Sequence, residues 1–528
     1  MAKICAIVFN TVSRDARVLK EAETLRSAGH DVTLVGLTDQ QYSATQETLE
    51  NGVSLLRVDG RSVTQRAWRL VIASLALLLL LAYSALFHHA REAFWWILAA
   101  EILAGGIILG YIVFKRENAD PGIVDADAED TPARRHMLAG FLRSIPIPGA
   151  LRPAVAFLCK AVRKVYRVLR RAYRILYRMA APFRPRRVMS KIVGQIKQVP
   201  GMRKMVSMIA LPGKMVAMYF KVRQVRPEIL HCHDVATLPV GILTKLTLGC
   251  TVVYDAHEIY EEVAQGSERR ARIYRRIHRA GQGRIDGFIT INDSIAKWYA
   301  DAYPAFPPAV VIKNATRVAG PIDYDGRLHN AAGLPRDVNI LLYQGGFSTK
   351  RGLEYLVESA RYFANGWVLV MMGWGKLEPR LREIAESVNQ SHRERGGKDA
   401  VVFIPPAPQR ELAYWTAGGS VGIVPYEKIG LNHWFCTPNK LWEYPNASLP
   451  LLVSPFPELS APIVKYQCGW LLPEDQSPER LGELISSLSS DEIARARANC
   501  SRFMADDNWD VYAGRLVDMY TQLSVRLV

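Results

Sequence analysis

The chain has no Cys-x-x-Cys pair, no leader-like apolar run at its start, and no acidic residue between Thr131 and Pro227. The first absence excludes a cysteine zinc site. With the seven cysteines scattered at 5, 159, 232, 250, 436, 468 and 500, it also argues against a disulfide framework and for a reducing compartment. The second absence means no signal peptide: "MAKICAIVFN" enters a strand-like run at once, so the N-terminus is expected in the cytosol. The third locates the charge. The net charge is +17, yet the acid-free stretch holds 23 Lys and Arg, which leaves the remaining sequence at −6. Basicity belongs to one segment of this 528-residue chain, a length that otherwise suits two globular domains plus extra segments.

Two apolar runs precede that segment, "LVIASLALLLLLAYSALF" (70–87) and "AFWWILAAEILAGGIILGYIVF" (93–114). Each is near the ~20 residues a helix needs to cross hydrocarbon, and the short "HHARE" between them allows only a tight hairpin. Arg66 and Arg69 before the first run and Lys115 and Arg116 after the second put both outer ends in the cytosol by the positive-inside tendency. The uninterrupted leucines and the Trp95-Trp96 pair favour a transmembrane hairpin over a buried soluble one. Glu101, inside the second run, is then neutral, paired or at a helix contact. After an acidic linker (Asp120 to Asp130), "AVRKVYRVLRRAYRILYRMA" sets Arg163, Arg167, Arg170, Arg171, Arg174 and Arg178 on one side at helical spacing. Val162, Val165, Leu169, Tyr173 and Leu176 fall largely on another. This is the pattern of a helix lying in an anionic membrane interface. A basic stripe with tyrosines also suits nucleic acid. The apolar runs upstream favour the membrane, and no nucleic acid is expected.

Outside residues 65 to about 220 the sequence alternates strand and helix. "ICAIVFN", "DVTLVGL" and "VSLLRVD" read as strands, with a helix over "SRDARVLKEAETLRSAG" capped by Ser13 or Asp15 and closed by Gly29. The alternation resumes at "EILHCHD", "TVVYDAHE", "GFITIND" and "AVVIKNA". A second series runs from "NILLYQGG" through "WVLVMMGWG", "AVVFIPP", "VGIVPY" and "LPLLVS". Such alternation means parallel sheets with right-handed crossovers. The expected fold is α/β, two doubly wound domains facing across a cleft. The boundaries are 1–64 and 225–320 for the first lobe, 65–118 for the hairpin, 119–224 for the linker and basic helical segment, and 321–528 for the second lobe. A final helix returns to the first.

The stretches "SRDARVLKEAETLRSAGHDVTLVG", "DAHE", "YQGGFSTKRGLEYLVESA" and "TPNKLWEY" together resemble the retaining glycosyltransferases of family 4, which have the GT-B architecture. The resemblance covers roughly 1–60 and 225–528. It implies a nucleotide-sugar donor held by the second lobe, an acceptor on the first, no cofactor and no required metal. A diphosphate leaving group gains charge as the glycosidic bond breaks, so fixed cations are needed. Arg351 matches the family's phosphate-binding residue, with Lys350 and Lys440 as further cations. Gly345, Gly346 and Gly375 allow close backbone approach; many relatives carry an additional arginine where this chain has Gly346. Thr437 and Asn439 stand before a helix whose start suits phosphate. Glu443 corresponds to the family glutamate that grips ribose hydroxyls, while its partner glutamate is replaced by Phe435.

On the first lobe, Asp234, His257 and Glu258 end neighbouring strands. His257 matches the family histidine near the transferred sugar, expected as a hydrogen-bond donor to it and not a formal base. A zinc site from His231, His233, His257 and an acid is the metal alternative, set aside because two strand ends would have to converge within ligand distance. The strings Asp125-Ala-Asp127 and Asp323-Tyr-Asp325, of the kind metal-dependent glycosyltransferases use, lie in linker-like sequence. The sequence thus points to an inner-membrane glycosyltransferase with cytosolic lobes. Its expected partners are a nucleotide sugar, anionic lipid, and a polyprenyl-linked glycan or glycolipid acceptor. A non-catalytic membrane scaffold and a nucleotide-sugar 2-epimerase are the alternatives.

Overall fold

The computed structural model describes residues 1–13, 15–60, 63–74, 198–262, 267–320 and 322–525. The expected hairpin beyond residue 74, the acidic linker and the basic helix at 160–179 lie outside the described residues. Among the described residues no helix is long and apolar enough to cross a membrane. The chain divides into two units, Met1–Val58 with Lys221–Val528, and Asp59–Phe220. In the second unit Ala67, Val71, Val206 and Ala210 form a small apolar cluster.

The first unit holds two sheets. The first has eight strands: β1 Lys3–Ile7, β2 Asp31–Leu37, β3 Gln46–Thr48, β4 Ser54–Val58, β5 Ile229–His233, β6 Thr251–Ala256, β7 Gly287–Thr290 and β8 Ala309–Val311, in the order β3-β4-β2-β1-β5-β6-β7-β8. All its pairings are parallel except β3 with β4. The second has six: β9 Asn339–Gly346, β10 Trp367–Trp374, β11 Val401–Ile404, β12 Val421–Val424, β13 Leu451–Val453 and β14 Gly469–Leu471, all parallel, in the order β11-β10-β9-β12-β13-β14. Their near-continuous Val, Ile and Leu follow from burial on both faces by crossover helices. Edge strands β3 and β14 are only three residues each, too short to show a period in sequence.

Each sheet reverses its winding beside its first strand, between β1 and β5 and between β9 and β12. A crevice opens at the carboxyl ends of such strands, where no crossover covers the edge. Local capping aims the first helix, Ala16–Ser27, at that edge. Of the two caps offered by the sequence, Asp15 takes the role, accepting from Val18 N, while Ser13 Oγ accepts from Arg57 Nη2 at 2.9 Å. The chain ends by crossing back. Helix Trp509–Val525 packs on the first lobe, with Trp509 Nε1 donating to Thr24 Oγ1 at 3.2 Å and Met519 lying over Gly287.

Candidate active site

At the first crevice the ends of β5 and β6 and the helix Ala16–Ser27 build a buried ion network around Asp255. Arg17 grips it with both prongs, Nε to Oδ2 at 2.8 Å and Nη2 to Oδ1 at 3.0 Å. Arg17 also lies 3.0 Å from Glu21, one helical turn on, and donates to Ile312 O at 2.6 Å. Burial opposes ionisation of Asp255, but Arg17 and then His257 outweigh it and hold the carboxyl well below its usual range. Burial likewise works against a charge on His257, and Asp255 overcomes it, raising the imidazole to about 9. Its ring sits between two carboxylates, Nε2 at 2.9 Å from Asp255 Oδ2 and Nδ1 at 3.3 Å from Asp234 Oδ1. Both nitrogens therefore carry protons.

Asp234 is held in place for this contact. Its φ is +66°, in the left-handed region that Asp tolerates better than most residues. Its carboxylate also accepts from Tyr260 OH at 2.5 Å. Asp234 thus joins His257 as the sequence suggests. In this structure both ring nitrogens of His257 face carboxylates, those of Asp234 and Asp255. Glu258 is exposed at the rim, and its backbone oxygen accepts from Tyr299 OH at 2.9 Å.

The strand ends do converge, contrary to the reason for setting a metal aside. Glu21, His231, His233 and Asp255 each offer one buried ligand atom, all within 4.8 Å of one another. The convergence comes from β5–β6 pairing, which places His233 opposite Asp255. His231 Nε2, His233 Nδ1 and both Glu21 oxygens lack a well-aligned hydrogen bond. The cation serving these acids is nevertheless built in, since Arg17 Nε reaches both carboxylates. Burial pushes the Glu21 carboxyl up and, with His233, pulls His231 well down, so this imidazole is neutral. A divalent ion would add two charges beside two cations already placed among these carboxylates, Arg17 against Asp255 and Glu21, and His257 against Asp255 and Asp234.

At the second crevice Arg351 and Lys440 converge on two tyrosines. The Arg351 guanidinium lies 5.5 Å from the Tyr426 ring, and Lys440 Nζ lies 5.1 Å from Tyr343 and 6.0 Å from Tyr426. Neither cation has an ion pair among the described residues. Burial, then Arg351, lowers the Lys440 ammonium to about 8. Gly345 has φ +126°, and a Cβ there would stand 3.1 Å from Lys440 Nζ. Gly375 is required by packing, because a Cβ would come within 2.1 Å of Phe347 O. Lys350 stands in the turn with φ +69°. Glu443 is braced by Gln344 Nε2 at 3.0 Å, and burial pushes its carboxyl up. Thr437 does not cap: the helix is Lys440–Asn446, Asn439 stands at its N-cap without a side-chain bond, and Thr437 Oγ1 lies 3.5 Å from Asn292 Nδ2.

Between the crevices is a cavity of about 600 Å³ that brings His257, Arg17 and Lys20 of the first lobe opposite Asn439 and Glu443 of the second. Lys20 donates to Ala315 O at 2.5 Å and sits 4.4 Å from the Trp509 ring. Burial, then Arg17, lowers it to about 8. Asn432 closes a two-way clasp across the cleft, accepting from Ile259 N at 2.7 Å and donating to Ile259 O at 3.1 Å. Asn292 donates to Phe435 O at 2.7 Å. Arg17, Lys20, Glu21, Asn292 and Asn432 were not singled out by sequence reasoning. Only the Arg17–Glu21 spacing carried a signal, and it reads equally as a surface pair.

Two lobes, each built on a parallel sheet, match the GT-B architecture of glycosyltransferases. The comparisons agree. Residues 174–319 match the model of Glycosyltransferase Family 4. A D-inositol 3-phosphate glycosyltransferase of Xylanimonas cellulosilytica is 25% identical over 43% of this chain and 52% of its own length. Its namesake from Thermomonospora curvata is 23% identical over 56% of this chain and 71% of its own. The chain thus spans about half the length of the first of these relatives. Among solved structures, sucrose-phosphate synthase of Thermosynechococcus elongatus superposes with TM-score 0.59 at 14% identity, covering 100% of both chains. A trehalose 6-phosphate synthase of Burkholderia multivorans gives 0.54 at 12%, over 99% and 98%. At these identities the structural likeness is one of fold.

Proposed function

We propose that the protein transfers a sugar from a nucleotide-sugar donor, held on the second lobe, to an acceptor held against the first. The observation that carries this reading is the Arg351–Lys440 pair, two neighbouring cations with no ion-pair partner among the described residues, at the carboxyl edge of β9 and β12. Partly burying such charges without a counter-ion is costly, and a diphosphate supplies the missing charge. The departing diphosphate would spread its developing charge over both side chains as the glycosidic bond breaks. Glu443 holds the ribose, and no metal or cofactor takes part. His257, already doubly protonated, acts as a fixed cation beside the reacting sugar. The acceptor oxygen attacks the anomeric carbon from the same face the diphosphate leaves, and its proton passes to the departing phosphate; this front-face attack retains the configuration.

The membrane side of the reading rests on the sequence of 65–179 alone. It makes the acceptor a polyprenyl-linked glycan or glycolipid and places both lobes on the cytosolic side of the inner membrane. Calorimetry tests the donor site. Arg351→Ala and Lys440→Ala should each weaken nucleoside-diphosphate binding by about 1.5–3 kcal/mol with melting little changed. Unaltered affinity in both would remove the site.

A further inference from the structure

Helix Glu268–Gly281, "ERRARIYRRIHRAG", carries six arginines in fourteen residues. Glu268 pairs with Arg272 and Arg275 at 3.8 and 2.8 Å. Arg269, Arg270, Arg276 and Arg279 are exposed and have no ion pair among the described residues. Arg269, Ile273 and Arg276 follow one another at four- and three-residue spacing, which stacks them along one side of a helix, while Ala271, His278 and Gly281 are buried. Ile273 is therefore an aliphatic group standing out of an arginine face, 47% exposed. The neighbouring helix Leu238–Leu248, whose Leu238 packs near Gly281, leaves Leu243 and Leu246 43% and 68% exposed.

We infer that this face docks on an anionic lipid surface, with Ile273 and the two leucines entering the headgroup layer between arginines that hold lipid phosphates. The mixture decides the partner. A nucleic-acid backbone satisfies the arginines and leaves three aliphatic side chains in water. A lipid interface takes both, at roughly 1 kcal/mol for each basic residue near its surface. The inner side of the same helix packs on the segment that follows His257. Buried His278 binds Glu261 Oε1 at 2.7 Å and Tyr254 OH at 2.8 Å, and Tyr303 OH donates to Glu261 at 2.5 Å. Glu261 lies four residues beyond His257, so the docked helix would present a membrane-borne acceptor beside it. Only that last step rests on the function proposed above.

The test uses the full-length protein reconstituted in phosphatidylcholine nanodiscs with or without phosphatidylglycerol. A fluorophore is placed at Ile273→Cys in a background lacking Cys436 and Cys159. Phosphatidylglycerol should shield the label from an aqueous quencher and expose it to brominated lipid, and high salt should reverse this. Reversing Arg269, Arg270, Arg276 and Arg279 to Glu should shift the docked-to-free ratio about a hundredfold or more toward free. Transfer to a soluble acceptor should be unchanged in that variant. A label that responds equally in both discs, ignores the reversal, or is shielded by RNA or an acidic polypeptide and not by phosphatidylglycerol would overturn the inference. The label needs no sugar donor, so failure of the transferase reading leaves this result standing.

Discussion

His257 owes its charge to its neighbours, and that has two measurable consequences. Its folded value, about 9, lies above the ordinary imidazole value of about 6.5. The stability it contributes is therefore complete below about pH 6.5 and is lost as pH rises through 9. The melting temperature of the protein minus that of His257→Asn should shrink across this window; a constant difference would mean the imidazole is neutral. In turnover, His257→Ala should lower kcat and kcat/KM together with donor affinity nearly intact, as befits a charge that acts in the transition state. Lys440 gives the opposite sign. Its free ammonium titrates near 8 and a bound diphosphate favours the charged form. Nucleoside-diphosphate affinity should fall as pH rises above 8, with proton uptake on binding. If the heat is independent of buffer ionisation near that pH, Lys440 does not face the phosphates.

The short elements of the second crevice are set by backbone more than by side chains. Gly352 precedes helix Leu353–Ser359 with φ +64°, its N–H donating to Glu427 Oε1 at 3.0 Å. A Cβ there would come within 1.9 Å of Pro425 O, a backbone atom that cannot step aside cheaply. Gly352→Ala should destabilise the second lobe by about 1–3 kcal/mol and, by shifting the turn that carries Lys350 and Arg351, weaken nucleotide binding as well. Wild-type melting together with wild-type affinity would show that the turn adapts. Across the cleft, the Asn432 clasp fastens the helix Leu431–Trp434 to the backbone of Ile259. Phe435, just after that helix, is fixed by a separate contact: its carbonyl accepts from Asn292.

At the scale of the molecule, the lobes are joined by a shared core running from Ile4 and Val253 to Ile340 and Val453 and by the returning helix Trp509–Val525. Tyr520 of that helix bonds His231 Nδ1 at 2.7 Å, so the last turns of the chain steady the innermost part of the ion network. Membrane attachment is a separate prediction at this scale. A cysteine placed in the 88–92 loop of the full chain should be labelled only from the side opposite both lobes. Labelling from the cytosolic side would mean that the 70–114 runs do not cross.

Much of the architecture was legible because parallel strands buried on both faces announce themselves as apolar runs. "DVTLVGL" and "NILLYQGG" match β2 and β9 residue for residue. The positions of Asp234 and His257 were legible for a related reason: polar side chains directly after such runs stand where no crossover helix covers the sheet. Arg351, five residues past the end of β9, was singled out by its resemblance to the family's phosphate-binding residue. Partnership was not legible. Arg17 meets Asp255 across 238 residues and Asn432 meets Ile259 across 173, separations at which periodicity and spacing carry no signal. Whether an arginine in an amphipathic helix is solvated or buried against a carboxylate depends on what packs over it. Here the register of β5 on β6 and the placement of the first helix decided it, and so decided that His257 is a cation enclosed by acids.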